Sequence, residues 1–434
     1  MKRRKFISGI ALAGATPALI SHPSAAAAER KATGLNDTTA VSPPVVQTPT
    51  ETSFSVSWMV NGTATGWVEW GTTEKLGQTA RPAHHGLCSM SDYVLSAKVA
   101  GIPKGADVYY RVVTKPVQYK NAYAIEQGEP ILGEIRQLTL PKAAAETCHL
   151  AVVNDTHDHA ETIAKLAESI NAANPDALVW NGDVYNQISS NQQMARISLT
   201  PGQKKSAPAA GGWASTRPLM FTPGNHDARG EAARTVPEAL IPWPMADDDP
   251  KGLAPTPTSD GRYCFTKRIG PVGIICLDTG EDKPDSREVW GGMAAYEPYR
   301  EAQLEWLLKV LQQPEIKSAP YLIAFCHIPL HGLLGDNDGM GPKGYAGFSG
   351  FGQKLWLQPL IDAGCQLITS GHTHRHRIDQ PSKGFPMHQL VGGGPKENNA
   401  TLIQIKADVQ SLEVTVENLQ RKKINSLSIK PRKV

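Results

Sequence analysis

Several things are scarce in this chain, and each scarcity excludes a class. Six cysteines in 434 residues are too few for a disulfide scaffold. None stands at C-x-x-C or C-x-H spacing, which removes a zinc finger or ribbon. Charged residues make up 20%, with 44 Lys+Arg against 41 Asp+Glu. That balance excludes a disordered polyelectrolyte and gives no basis for binding nucleic-acid duplexes by bulk basicity. No internal apolar run reaches the roughly 18–20 residues needed to cross a bilayer, so no membrane span is expected. What remains is a core-bearing globular protein, long enough for two or three domains or one large domain with an appendage.

Residues 1–28 read as targeting rather than fold. A basic head (Lys2-Arg3-Arg4-Lys5) precedes Phe6, Ile7 and a mild apolar stretch, and Ala25 to Ala28 offer a small-residue cleavage site. The Arg3-Arg4-x-Phe6-Ile7 order resembles a twin-arginine signal, so export of a folded protein to the periplasm or beyond is expected. Cleavage would remove four basic residues and no acidic ones, taking the formal charge from +3 to −1. Cys276, Cys326 and Cys365 lie in or beside apolar runs and read as small core residues. Pairing of Cys88 with Cys148 stays open at this stage.

Two rhythms divide the rest. Over residues 41–141 the pattern is that of strands: Phe54, Val56, Trp58 and Val60 alternate with Ser53, Ser55, Ser57 and Met59, the period of a half-buried strand. Asn61-Gly62 is a hairpin signal. The runs at 67–70, 108–113 and 135–140 complete an all-β sandwich of the immunoglobulin or fibronectin type III kind. A linker at 141–147 leads to a second region, 148–420, where strands and helices mix. Buried strands are predicted at 150–153, 177–180, 219–222, 272–277, 321–326 and 366–369, with later strands at 401–405 and 412–416. Ile163, Leu166 and Ile170 mark one helix over 160–172, stopped by Asn174-Pro175; Leu304, Leu307, Leu308 and Leu311 mark another. Residues 421–434 read as a solvated basic tail.

The most informative residues stand at the ends of those strands. The first strand runs into Asn154-Asp155-Thr156-His157 and the second into Asn181-Gly182-Asp183. The third runs into Gly224-Asn225-His226-Asp227, and later ones into His327 and Gly371-His372-Thr373-His374. Ligands of α/β sheets gather at the carboxyl ends of strands, so these side chains converge on one edge. Singly, each could be a cap, a turn residue or a surface histidine. Together they make a metal site of imidazole and carboxylate, a donor set suited to Zn, Mn or Fe.

In chain order the blocks D-x-H, G-D, G-N-H-D, H and G-H-x-H resemble the calcineurin-like metallophosphoesterase superfamily, and the sandwich before them resembles the N-terminal domain of purple acid phosphatases. The resemblance implies an α/β catalytic domain, a two-sheet sandwich flanked by helices, behind a fibronectin III-like domain. It implies two divalent or trivalent metal ions. Asp155, His157 and His374 would hold one; Asn225, His327 and His372 would hold the other, with Asp183 bridging. His226 corresponds to the histidine beside the leaving group, and Asp227 to the carboxylate that orients it and favours its cationic form. One departure stands out: where purple members carry an iron-binding tyrosine, three residues after the bridging Asp, this chain has Asn186. Tyr185 sits one position early, so a coloured iron–tyrosinate site is not expected.

The implied reaction is hydrolysis of a small phosphorylated substrate, by in-line attack of a metal-activated water with the metals neutralising phosphoryl charge. Phosphomonoesters are the leading expectation. A phosphodiesterase or nucleotidase with the same centre is the second reading, and a non-catalytic binding module the third. Substrate choice belongs to the loops: 187–217 with Lys204 and Lys205, the glycine-rich 331–352 with Tyr345, Phe348 and Phe351, and the trio Arg375, His376, Arg377.

Overall fold

The computed structural model describes Leu35 and residues 42–202, 212–244, 261–332 and 349–433. The leader 1–28, Lys204, Lys205, Tyr345 and Phe348 lie outside the described residues. Among the described residues no helix is long and apolar enough to cross a membrane.

Five longer strands open the fold: β1 (Val45–Gln47), β2 (Ser53–Met59), β3 (Ala64–Gly71), β4 (Val94–Ala100) and β5 (Val108–Asn121). β1, β2 and β4 form one face of a sandwich and β3 with β5 the other. Phe54, Val56, Trp58, Val99, Tyr110 and Val112 fill the space between them. Burying each such side chain contributes about 1.5–3 kcal/mol. Asn61-Gly62 does not close a hairpin: β2 pairs with β1 and β4, β3 pairs with β5, and the turn crosses between sheets.

Next come β6 (Cys148–Val153), α1 (Ala160–Ala173), β7 (Ala177–Asn181), α2 (Asn191–Leu199) and β8 (Leu219–Thr222). β9 (Phe265–Ile269), β10 (Val272–Leu277), α3 (Tyr296–Val310), β11 (Tyr321–Cys326) and β12 (Leu367–Ser370) continue the chain. It ends with β13 (Arg377–Asp379), β14 (His388–Val391), β15 (Leu402–Ala407), β16 (Leu412–Glu417) and β17 (Lys423–Ile429). Two sheets face each other, β17-β16-β15-β6-β7-β8-β1-β2-β4 and β9-β10-β11-β12-β14-β13. Leu150, Val152, Val179 and Met220 of the first interdigitate with Ile274, Cys276, Ile323 and Phe325 of the second. Their sequence neighbours point away: Val153, Leu178 and Trp180 pack under α1, while Ile275, Leu277 and Ala324 pack under α3. Strands covered on both faces are continuously apolar, which is why they are readable as short buried runs.

Three further expectations are corrected. The serines of β2 do not face solvent. Ser53, Ser55 and Ser57 are buried, and Ser57 Oγ donates to Ala239 O at 2.7 Å, beside Gln47 Nε2 at 2.8 Å to the same oxygen. β1 also pairs with β8 through Gln47 and Leu219, so the sandwich face continues into the catalytic sheet. The stretch 421–433 is no free tail. β17 zips onto β16, and Arg432 reaches the carbonyls of Ala319 at 2.9 Å and Ala363 at 2.5 Å. Finally, α3 begins at Tyr296 and buries Arg300, Gln303, Trp306, Leu307 and Val310, leaving Leu308 exposed. Cys88 and Cys148 are both free, the first exposed and the second buried.

Candidate metal centre

β6, β7 and β8 run parallel, as do β10, β11, β12 and β14, so their carboxyl ends share one edge of the double sheet. The loops leaving them are stitched together by main-chain bonds. Asp155 N donates to Gly182 O and His157 N to Asp183 O, both at 3.0 Å, and Gly371 N donates to His327 O at 2.8 Å. Asp155, His157, Asp183, His372 and His374 all adopt left-handed backbone, φ between 44° and 70°. Non-glycine residues rarely hold that conformation, and a run of them marks strain kept for a site.

The glycines of the motifs have a steric cause. A Cβ on Gly182, itself at φ +82°, would overlap the His327 ring and approach Gly224 N at 2.7 Å. A Cβ on Gly224 would strike the Asp183 carboxylate and lie 2.5 Å from Asp183 N. These positions are bare so that two loops can close on a third.

All the candidate ligands come together. Donor atoms of Asp155, His157, Asp183 and His374 lie within 4.8 Å of one another, as do those of Asp183, His327 and His372, making Asp183 common to both sets. His157 Nε2 and His327 Nε2 stand 3.4 Å and 3.2 Å from Asp183 Oδ2, and His374 Nε2 stands 3.3 Å from Asp155 Oδ1. Asn225 Oδ1 lies 2.8 Å from His372 Nδ1. Buried His327 Nε2 faces the Asp183 carboxylate without a well-formed hydrogen bond among the described residues. A buried imidazole nitrogen so placed and two buried carboxylates are what a cation would satisfy.

The electrostatics agree. Burial would lower the His157 and His327 imidazoles, yet the carboxylates around them push the two up to about 10 and about 9, His157 through hydrogen bonds to Asp155 and Asp183 and His327 through the charges of Asp183 and Asp155. Burial and the charge of His327 hold His372 down at about 4. Against burial, the charges and hydrogen bonds of these histidines keep Asp155 and Asp183 below the usual carboxylate range. The pocket favours positive charge, and the donor set fits divalent metal ions. Asp155, His157, Asp183, Asn225, His327, His372 and His374 are the residues that would hold them.

Asp227 does not do what its place beside His226 implies. Its carboxylate accepts main-chain N–H groups from Gly224 at 2.7 Å, Asp183 at 3.0 Å and Val184 at 2.8 Å, and it never reaches the His226 ring. Burial and the charge of Asp183 push it up to about 7. It is the clip that holds two metal loops together. The partners of His226 are others: Nδ1 donates to Asn186 O at 2.9 Å, and Arg229 Nη1 lies 2.9 Å from Nε2. Burial lowers His226 below its ordinary value and Arg229 adds to that, against Asp183, so no carboxylate holds the ring cationic. Arg229 is in turn gripped by Glu281 (3.1 and 2.9 Å) and Asp282 (3.1 Å). Asn186 also binds the candidate ligand His157, Oδ1 to Nδ1 at 3.0 Å and Nδ2 to the carbonyl at 3.0 Å. The buried Tyr185 hydroxyl is engaged by Ser198. Sequence reasoning misses Arg229, Glu281 and Asp282; Arg229, two positions past the G-N-H-D block, is the one available signal.

The loop residues divide. The half-buried Phe351 ring lies 4.8 Å from the Arg300 guanidinium. Arg377 is tied to Asp379 at 3.2 Å and His376 to Val391 O at 2.9 Å.

Comparison with known proteins agrees with this geometry. A purple acid phosphatase from yellow lupin (Lupinus luteus) seeds superposes with a TM-score of 0.60 and 14% identity, over 89% of this chain and 74% of that one. PhoD superposes with a TM-score of 0.57 and 11% identity, over 90% and 94%. At such identities the likeness is one of fold. No curated protein sequence matches the chain. Residues 148–376, more than half of the sequence, match the calcineurin-like phosphoesterase family. The chain belongs to that family and is a metal-dependent phosphoester hydrolase.

Proposed function

We propose that the protein is an exported binuclear phosphoesterase acting on small phosphomonoesters. The observation that supports two ions rather than one is the sharing of Asp183 between two donor sets. In this reading Asp155, His157 and His374 would hold one ion and Asn225, His327 and His372 the other, with Asp183 available to both. Bound there, the ions would supply an activated water and charge neutralisation for the phosphoryl group. The chain does the positioning. Asn186 fixes the His157 ring, Asp227 fixes the loops, and His226, held between Asn186 O and Arg229, faces the leaving group. The His157 ring contacts both the His226 and the His374 rings, with centroids 4.7 Å and 4.8 Å away.

The test pairs metal analysis of natively purified protein with kinetics on 4-nitrophenyl phosphate and bis(4-nitrophenyl) phosphate. Two ions per chain and a kcat/KM for the monoester roughly tenfold or more above the diester are expected. A diester preference would move the reading to a phosphodiesterase with the same centre, and one ion per active chain would end the binuclear reading.

Export rests on the Arg3-Arg4-Lys5-Phe6 leader. Five free cysteines buried in the fold suit a chain that folds before it crosses. Arg3→Lys with Arg4→Lys is expected to leave active, metal-loaded precursor inside the cell. Normal export of that variant would exclude the twin-arginine route.

A further inference from the structure

Beside the metal centre runs a cleft of about 580 Å³, within the size range of small-ligand sites. One wall is His374, whose Nε2 faces Asp155 in the centre; the next residue, Arg375, lines the cleft itself. The cleft is also lined by Asn398, Thr401, Asn418 and Ile424, the last from the C-terminal strand β17. None of the residues lining the cleft is acidic.

Arg375 differs from its neighbours. Arg377 is occupied by Asp379 and His331 O, and His376 by Val391 O and Asn425. The Arg375 guanidinium is exposed and makes no hydrogen bond or ion pair among the described residues. Its backbone is fixed by the strained His374 before it, φ +56°, and by β13 two residues on. A cation held on a rigid loop, with no carboxylate across from it, is arranged for an anion brought in by a ligand.

We propose that this cleft is a subsite for the alcohol portion of the substrate, and that Arg375 selects phosphate esters carrying a second anionic group, carboxylate or phosphate, on that portion. The inference rests on the phosphoesterase reading of the adjoining centre and narrows its substrate class. Arg375 touches the far end of the substrate, so its influence falls on KM and leaves the chemical step alone.

Matched substrates test this on the metal-loaded protein: phenyl phosphate, 4-carboxyphenyl phosphate and 4-phosphonophenyl phosphate. The wild type is expected to favour one or both anionic forms by roughly five- to tenfold, through KM. Which of them gains more separates a carboxylate site from a phosphate site. Arg375→Gln should erase the preference while keeping the phenyl phosphate kcat and the metal content, and Arg375→Lys should restore part of it. No preference in the wild type, or a preference that survives Arg375→Gln, overturns the proposal. A second readout needs no turnover. Calorimetry should show 4-carboxyphenylphosphonate or 1,4-phenylenediphosphonate binding more tightly than phenylphosphonate, and Arg375→Gln should remove the difference; equal affinities in the wild type overturn the proposal. Failure to hydrolyse phenyl phosphate at all would count against the phosphoesterase reading, while the phosphonate affinities would still decide the subsite.

Discussion

Asp183→Asn is expected to strip the centre of metal and activity while leaving the fold intact. Asp183 belongs to both donor sets, and its Oδ2 lies 3.4 Å from His157 and 3.2 Å from His327. Its Oδ1 accepts from His226 N at 2.8 Å, a bond that an asparagine carbonyl reproduces. The substitution therefore removes one charge and almost no volume. In metal-free protein the His157 and His327 imidazoles hold Asp183 ionised, so losing that charge removes their pairing and should lower the melting temperature modestly, while the unchanged volume keeps the fold. Bound metal, measured by plasma mass spectrometry, should fall by about half or more, and turnover by roughly 10³-fold or more. In the wild type, chelation should lower the melting temperature, because an ion that binds only the folded centre stabilises it. In the variant the same treatment should shift it far less. Full metal content with a tenth of wild-type activity would show that Asp183 does not bridge.

How much of this is readable in the sequence depends on the physics of each element. Asp155, Asp183, Asn225, His327 and His372 are legible because each ends or succeeds a short apolar run, and parallel strands carry their ends to one edge. The ligands need only chain order and residue type. The partners of His226 need coordinates. Adjacency suggests Asp227, but the tight 3-10 turn over Asn225–Ala228 sends successive side chains in different directions, and Asp227 turns inward to the main chain. Arg229 returns to the ring on the next turn, and its anchors Glu281 and Asp282 lie some fifty residues later. The serines of β2 mislead for a related reason. Alternation reports which face is apolar, and here the polar face is covered as well, by Ala239 and the segment around it. The basic composition of 421–433 hides a strand because most of its side chains face solvent; the main-chain ladder to β16, the burial of Ile429 with Leu427 against the core, and the contacts of Arg432 order it.

The remaining large effect concerns His226 and what holds it. His226→Ala is expected to slow turnover by roughly 10²–10⁴ with both metals retained, the scale for losing a side chain that contacts the reacting atoms. Arg229→Gln should slow it less, by roughly ten- to a hundredfold, because the ring keeps its bond to Asn186 O and loses only its second restraint. Arg229 is itself fixed through a chain of contacts. Arg300 of α3 donates to the carbonyls of Thr279 and Glu281, the Glu281 carboxylate grips Arg229, and Arg229 meets His226. If Arg229 acts by setting that ring, the two substitutions cannot add. With His226 already replaced there is nothing left to orient, and the double variant should turn over no more slowly than His226→Ala alone. Arg229→Lys keeps a donor near Nε2 but loses the paired contacts to Glu281, so it should recover only part of the rate. Multiplicative losses in the double variant would instead give Arg229 a separate role, in contact with substrate. Loss of metal in step with activity in His226→Ala would show that this ring belongs to the metal shell.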